Sequence, residues 1–228
     1  MSDDNCSGGK PTGSALVRFL LSFVVFLFVV TLALFIPAGI QWTEGWVFLS
    51  IFILQLAIAA VYLWRRNPEI FVARSKFHAG TESWDWVTIS ILIPSFMAIF
   101  PVAGLYHGSS LWIIASGYVL LTVGMVGMTW VQAVNRFAEP SVRIQPGQRV
   151  IDIGPYSIVR HPMYSASFPL FAGISLSLGS YWALLPVAVV GVGVFVRTAL
   201  EDRLLQRELP GYREYSERVR YRVLPGVW

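Results

Sequence analysis

Six uncharged, mostly apolar stretches punctuate the chain, at residues 19–36, 46–64, 86–106, 111–134, 165–178 and 181–196. A bilayer-spanning helix needs about 20 such residues, range about 17–25. The first four stretches meet that length outright. The last two are short, and Gly179-Ser180 between them signals a turn, so they predict a tight helical hairpin. The pattern predicts an all-α integral membrane protein with about six helical spans, the last two forming that short hairpin. The first stretch is too long for a signal-peptide core and follows a leader carrying Asp3 and Asp4, so it is read as a mature helix.

Composition agrees. Hydrophobic residues make up 55% of the chain and charged ones 13%, against about 45–50% and 25% in soluble domains. So little charge cannot cover a soluble globule of 228 residues, which excludes an ordinary cytosolic enzyme and a disordered chain. The single cysteine, Cys6, excludes a disulfide framework and a cysteine metal site. His78, His107 and His161 are too scattered to suggest zinc.

The placement of charge is more telling than the net +4. All 17 Lys and Arg lie ahead of the first stretch, between the second and third, between the fourth and fifth, or after the sixth. The other connections carry none. Six spans put every one of these cations on one side, which the positive-inside rule makes cytoplasmic, with both termini. Trp42, Trp46, Trp64, Trp84 and Trp86 mark span ends, where amphipathic rings favour the headgroup level. Pro94 and Pro101 predict a kinked third helix, and Gly117, Gly124 and Gly127 a flat packing surface on the fourth. The expected organisation is a disordered cytoplasmic leader (1–14), four transmembrane helices (15–134) and a functional region (135–228).

Two segments on the cytoplasmic side, 135–164 and 197–228, are long enough to build a site, and the hairpin between them brings them together. The first contains Gly154-Pro155-Tyr156 and Arg160-His161-Pro162-Met163-Tyr164. Cations at the start of a helix suit an anionic group. Equally, Arg160 could merely anchor the helix to lipid headgroups. The second segment opens with Arg197 and Glu201, four apart and so on one helix face. They form either a simple ion pair, with Arg197 snorkelling, or a guanidinium and a carboxylate emerging beside the Arg160-His161 turn. Leu200, Leu204, Leu205 and Leu209 continue that helix to Pro210-Gly211. Tyr212, Tyr215 and Val219 suggest a short amphipathic turn on the membrane surface.

On these residues the chain resembles the isoprenylcysteine carboxyl methyltransferase family of integral-membrane methyltransferases. The Gly-x-Tyr turn, the Arg-His-Pro-x-Tyr motif, the hairpin, the acidic pair Glu201-Asp202 and the Gly211-Tyr212…Tyr215 tail occur in the family's order. The resemblance covers about residues 135–228. It implies S-adenosyl-L-methionine as cofactor, held at the cytoplasmic surface rather than in a Rossmann domain. By similarity Gln148, Arg149, Val150 and Ile151 line the adenosine and Tyr156 closes the turn over it. Arg160, His161, Pro162, Met163 and Tyr164 form the cofactor wall, Glu201 takes ribose hydroxyls or the methionine ammonium, and Arg197 faces the substrate as the catalytic residue. The implied partners are membrane lipids and a lipophilic or lipidated methyl acceptor, a carboxylate or thiol, and no nucleic acid or metal.

Ala166, Asp202 and Gln148 depart from residues common in the family, as does the tail Val219-Arg220-Tyr221-Arg222. They point to a broader bacterial-type branch. Two competing expectations remain. Membrane sterol reductases share the Arg-His-Pro-x-Tyr turn and bind NADPH, but usually carry Asn before the Tyr and Gly-Glu soon after, where this chain has Met163 and Ser165-Ala166. A membrane scaffold without chemistry is the other. Methyl-donor against NADPH binding separates the first, and methyl transfer into lipid the second.

Overall fold

The computed structural model describes residues 13–74 and 80–228, with residues 13–16 by backbone alone. The leader expected at 1–14 falls outside the described residues except for its last two. Cys6, Lys10, Lys76 and His78 fall outside as well.

Every regular element among the described residues is helical. In chain order they are α1 (Gly13–Ala38), α2 (Thr43–Arg66), α3 (Glu69–Ala73), α4 (Ser83–Leu105), α5 (Leu111–Val134), α6 (Pro162–Ser177), α7 (Leu184–Glu208) and α8 (Tyr212–Arg218). Five of these, α1, α2, α4, α5 and α7, are long and apolar enough to cross a membrane. Their outer faces are apolar too: Phe28 is 62% exposed, Val126 63% and Val192 66%. In water such a surface would be an aggregation liability; in lipid it is the expected exterior. The chain is an all-α integral membrane protein.

The hairpin departs from the expectation of two short members. Only α6 is short, its 16 residues spanning about 24 Å at about 1.5 Å per residue. Its partner α7 has 25 residues, because the helix does not stop at the first charge but continues through the polar stretch after Val196. The α6–α7 turn nevertheless reaches the α4–α5 connection: Ser109 donates its N–H (3.1 Å) and its hydroxyl (2.7 Å) to the Gly179 carbonyl. Gly179 adopts φ +69°, a conformation side chains disfavour. The C-terminal end of α5, the start of α6 and the polar end of α7 therefore gather at the opposite end of the bundle.

Glycine makes the α5–α6 contact possible. A side chain at Gly117 would meet the Ser177 backbone, at Gly124 the Leu170 backbone, and at Gly173 of the facing helix the Leu121 backbone. Gly127 lies over Ala166. Small residues let helix backbones approach in lipid, where hydrophobic burial gives no advantage. The main core joins α1, α2, α4, α5 and α6 around Leu34, Phe48, Phe100, Leu121 and Ile174. Helix α4 continues through Pro94 and Pro101. Of the span-end tryptophans, Trp46, Trp64 and Trp86 are exposed, whereas Trp42 is buried at 6%, its ring stacked 4.4 Å from His107.

Candidate functional site

At the end of the bundle where α5, α6 and α7 gather, a cleft of ≈ 1020 Å³, its open mouth included, lies beneath segment 135–151. It is lined by Arg74, by that segment, by Tyr156, Arg160, His161, Met163 and Tyr164, by Arg197, Glu201 and Leu205 of α7, and by Leu209, Tyr212 and Tyr215. Arg197, Glu201 and Leu205 recur every four residues, so one face of α7 forms a wall. Pro162 does not line the cleft. It is buried as the first residue of α6, where its missing N–H costs little.

Asp202, fully buried beside this wall, organises the region. Arg160 donates Nε to Oδ1 (2.8 Å) and Nη2 to Oδ2 (3.0 Å), a two-pronged grip. Arg222 Nε (2.9 Å), Gln206 Nε2 (2.9 Å) and the Tyr212 hydroxyl (3.0 Å) donate to the same carboxylate. His161 Nε2 lies 3.2 Å from Oδ1 and carries the hydrogen there, since a carboxylate only accepts. Arg160 gives Nη1 to the carbonyls of Val219 and Arg220, both at 2.9 Å. Burial works against the Arg160 charge, but Asp202 outweighs it and its pKa lies above the usual arginine value. Arg160 is thus no headgroup anchor: it is buried and holds the tail. The Arg160 and His161 N–H groups bond the carbonyls of Tyr221 and Arg222, and Ser165 Oγ donates to that of Val223 at 2.6 Å.

Helix α8 follows a turn at Gly211, φ +80°, and faces inward. Tyr212 and Tyr215 are buried against Val150, Leu205 and Val219, so the expected membrane-surface turn is part of the site's wall instead. The Tyr215 hydroxyl donates to the Tyr156 carbonyl (2.7 Å) and Asn135 Nδ2 to the Tyr156 hydroxyl (2.7 Å). Burial pushes the Tyr156 phenol up to about 12 and raises Tyr212, with facing Asp202 adding to the rise. Both remain neutral, Tyr156 accepting from Asn135 and Tyr212 donating to Asp202.

Of the two readings of Arg197 and Glu201, the simple ion pair does not form. Arg197 pairs with Asp85, Nε to Oδ1 at 2.8 Å and Nη2 to Oδ2 at 3.0 Å, and Nη2 also reaches the Pro140 carbonyl at 2.8 Å. Asp85 is fully buried in the first turn of α4 and accepts the Val142 N–H at 2.7 Å. It thereby ties α7 to segment 135–151. Glu201 accepts instead from the Tyr164 hydroxyl at 2.5 Å through Oε2, leaving Oε1 without a hydrogen-bond partner among the described residues. Glu139 and Arg143 pair at 2.7 Å within the same segment. On the lipid side, an apolar groove between α4 and α7 is lined by Thr88, Ile91, Val189, Val192, Gly193 and Val196. Thr88 donates to Asp85 Oδ1 at 3.0 Å, and Val196 precedes Arg197, so the groove ends at that ion pair.

Comparison with known proteins fits this arrangement. Residues 106–210, from the end of α4 through α7, match the phospholipid methyltransferase family model. Over that segment the chain is similar to members of that family. It is the membrane-methyltransferase family to which the isoprenylcysteine carboxyl methyltransferase-like enzymes belong, and its members generally use S-adenosylmethionine. Two curated relatives are similar over part of their length. The nickel-cobalt-cadmium resistance protein NccN of Alcaligenes xylosoxydans xylosoxydans is 30% identical over 132 residues, 56% of this chain and 59% of its own. The cobalt-zinc-cadmium resistance protein CzcN of Cupriavidus metallidurans is 31% identical over 130 residues, 52% of this chain and 56% of its own. The chain thus spans under three-fifths of the relatives it matches.

Arg74, Asp85 and Ser141 join the site without having been read from the sequence as site residues. Asp85 carried a signal, a lone acid at the edge of an apolar run between two tryptophans. Arg74 and Ser141 carried none, because what makes them notable is that among the described residues Arg74 meets no carboxylate and the Ser141 hydroxyl no hydrogen-bond partner.

Proposed function

We propose that this membrane protein is a methyltransferase that moves a methyl group from S-adenosylmethionine to a lipophilic acceptor. The observation that carries the reading is the cleft itself. It combines a half-buried carboxylate with one open acceptor oxygen, an aliphatic wall and tyrosine hydroxyls, and Arg197 of its wall directly follows Val196 of the apolar α4–α7 groove. These features fit the donor. Glu201 Oε1 suits the ribose hydroxyls or the ammonium of the methionine part. Val150, Ile151, Leu205 and Leu209 suit an adenine face, with Gln148, Arg149 and Tyr156 around it. Met163 and Tyr164 form the wall between that end and Arg197, while Arg160, His161 and Pro162 act by position, fixing the tail and the start of α6.

The donor brings an activated methyl on a sulfonium, so the protein contributes position, desolvation and charge balance. Tyr164 fixes Glu201 and Asp85 fixes Arg197, holding one anionic and one cationic group at set places on α7. Segment 135–151 covers the cleft and limits water. A carboxylate or thiolate acceptor needs no base, in keeping with a wall rich in arginine. The α4–α7 groove admits the acceptor's hydrocarbon from the bilayer and leads its polar end to Arg197.

Thermal unfolding of the full chain in a neutral detergent tests the reading. S-adenosylhomocysteine should raise the midpoint and NADPH should not. Protection by NADPH alone would overturn the assignment in favour of a reductase.

A further inference from the structure

Arg74 follows α3, outside the segment that matches the family, yet lines the cleft. Its Nη1 reaches the Ala138 carbonyl at 3.3 Å and the Met163 sulfur at 3.9 Å. Among the described residues no carboxylate lies within ion-pair distance of it. The other arginines of the cleft wall that are removed from solvent do have one: Arg197 has Asp85, Arg143 has Glu139 and Arg160 has Asp202. A guanidinium does not escape its charge by deprotonation, and a charge withdrawn from water without a counter-charge is costly. Burial, then the like charge of Arg197, pull the Arg74 pKa below its usual value.

A second orphan stands in the same wall. Ser141 is 6% exposed and lines the cleft, and among the described residues its hydroxyl has no hydrogen-bond partner. Its chain neighbours are both fixed to the Arg197–Asp85 pair, Pro140 through its carbonyl and Val142 through its N–H. A cation without an anion and a hydroxyl without an acceptor both call for a ligand that supplies anionic oxygen.

We infer that Arg74 and Ser141, backed by Arg197, form a subsite for an anionic oxygen group, a carboxylate or phosphate, of a molecule bound in the cleft. This rests on the methyltransferase reading only for the two molecules that could bring the group: the methyl donor through its carboxylate, or the acceptor through its head. The positively charged wall selects an anionic group over its neutral isostere.

The test uses the full chain in a neutral detergent and two ligand pairs that differ only in charge. S-adenosylhomocysteine is compared with its carboxamide, and dodecanoate with dodecanamide, by thermal shift and competition. In one pair the anion should bind about tenfold or more tighter than the amide, the size of a charge-assisted contact. Arg74→Gln should abolish that preference, while Arg207→Gln, an exposed arginine paired with Glu208, should leave it intact. Preference in the nucleoside pair assigns the subsite to the donor, and preference in the dodecyl pair to the acceptor. Equal binding within both pairs, measured on the wild-type chain and so free of any folding defect, overturns the inference. So does a preference that survives Arg74→Gln. If neither nucleoside binds, the methyltransferase reading fails, and the dodecyl pair still decides the subsite.

Discussion

Glu201 and Asp202 are adjacent in sequence, and the structure gives them opposite consequences. Asp202 is 0% exposed and serves Arg160, His161, Gln206, Tyr212 and Arg222 together. Asp202→Asn keeps the shape but removes the charge and turns one acceptor into a donor facing donors. The Arg160 side chain, 6% exposed, is left without its counter-charge. Breaking a buried pair in this way costs about 3–5 kcal/mol. For a chain of this size about 1 kcal/mol moves a thermal midpoint by about 2–4 °C, so the expected fall is about 6–20 °C. Glu201→Gln loses only the charge behind the Tyr164 contact, and its midpoint should move by no more than about 3 °C, within about 1 kcal/mol. Its S-adenosylhomocysteine affinity should instead fall about 10- to 100-fold, the worth of a hydrogen bond to a charged group. Both variants are read by thermal unfolding with and without S-adenosylhomocysteine. An Asp202→Asn midpoint within about 2 °C of wild type would refute the load assigned to this carboxylate, since the bonds it makes predict at least about 6 °C. Unchanged ligand affinity in Glu201→Gln would refute the division of labour.

Arg197→Lys should remain folded and still bind S-adenosylhomocysteine, yet turn over on the order of a hundredfold more slowly, because Lys cannot reproduce the planar guanidinium that pairs with Asp85 while its Nη2 holds the Pro140 carbonyl; initial rates at saturating donor check this, and near-normal turnover contradicts it. Gly124→Val places a side chain into the Leu170 backbone and should cost about 1–3 kcal/mol or more, seen as a lowered midpoint, whereas Gly191→Ala, where the added Cβ meets only Phe168 at 3.5 Å, should leave the midpoint close to wild type. Reporter fusions after His107 should read external and fusions after Gln145 internal; the reverse pattern would place the cleft on the wrong side of the membrane for a cytosolic donor.

The helices were legible because an apolar run has a length and a bilayer has a thickness. The short α3 gave no apolar run to read, and the full length of α7 escaped: a helix emerging from lipid continues as long as its own hydrogen bonds and caps allow, and here it ends before Gly211. The two segments that build the cleft were legible from short motifs flanking the hairpin. What escaped was pairing over distance. Arg197 and Glu201 are neighbours on one helix face, but Asp85, 112 residues from Arg197, offers two buried oxygens, and Tyr164, 37 residues from Glu201, takes the carboxylate. Local spacing says which groups share a face and nothing about which distant partner wins. Trp42 shows the same limit, since its place at a span end suggested the interface while the approach of His107 buries it.

Methyl transfer from the cleft to a membrane molecule is the proposed reaction. Its most direct test gives the purified full chain S-adenosylmethionine labelled in the methyl group, together with a lipid extract, and follows label into the organic phase. Wild type should transfer label, mass spectrometry should find one lipid species heavier by a single methyl, and Glu201→Gln should transfer far less at the same donor concentration. Label that stays in the aqueous phase under these conditions, with wild type and Glu201→Gln alike, would contradict the account.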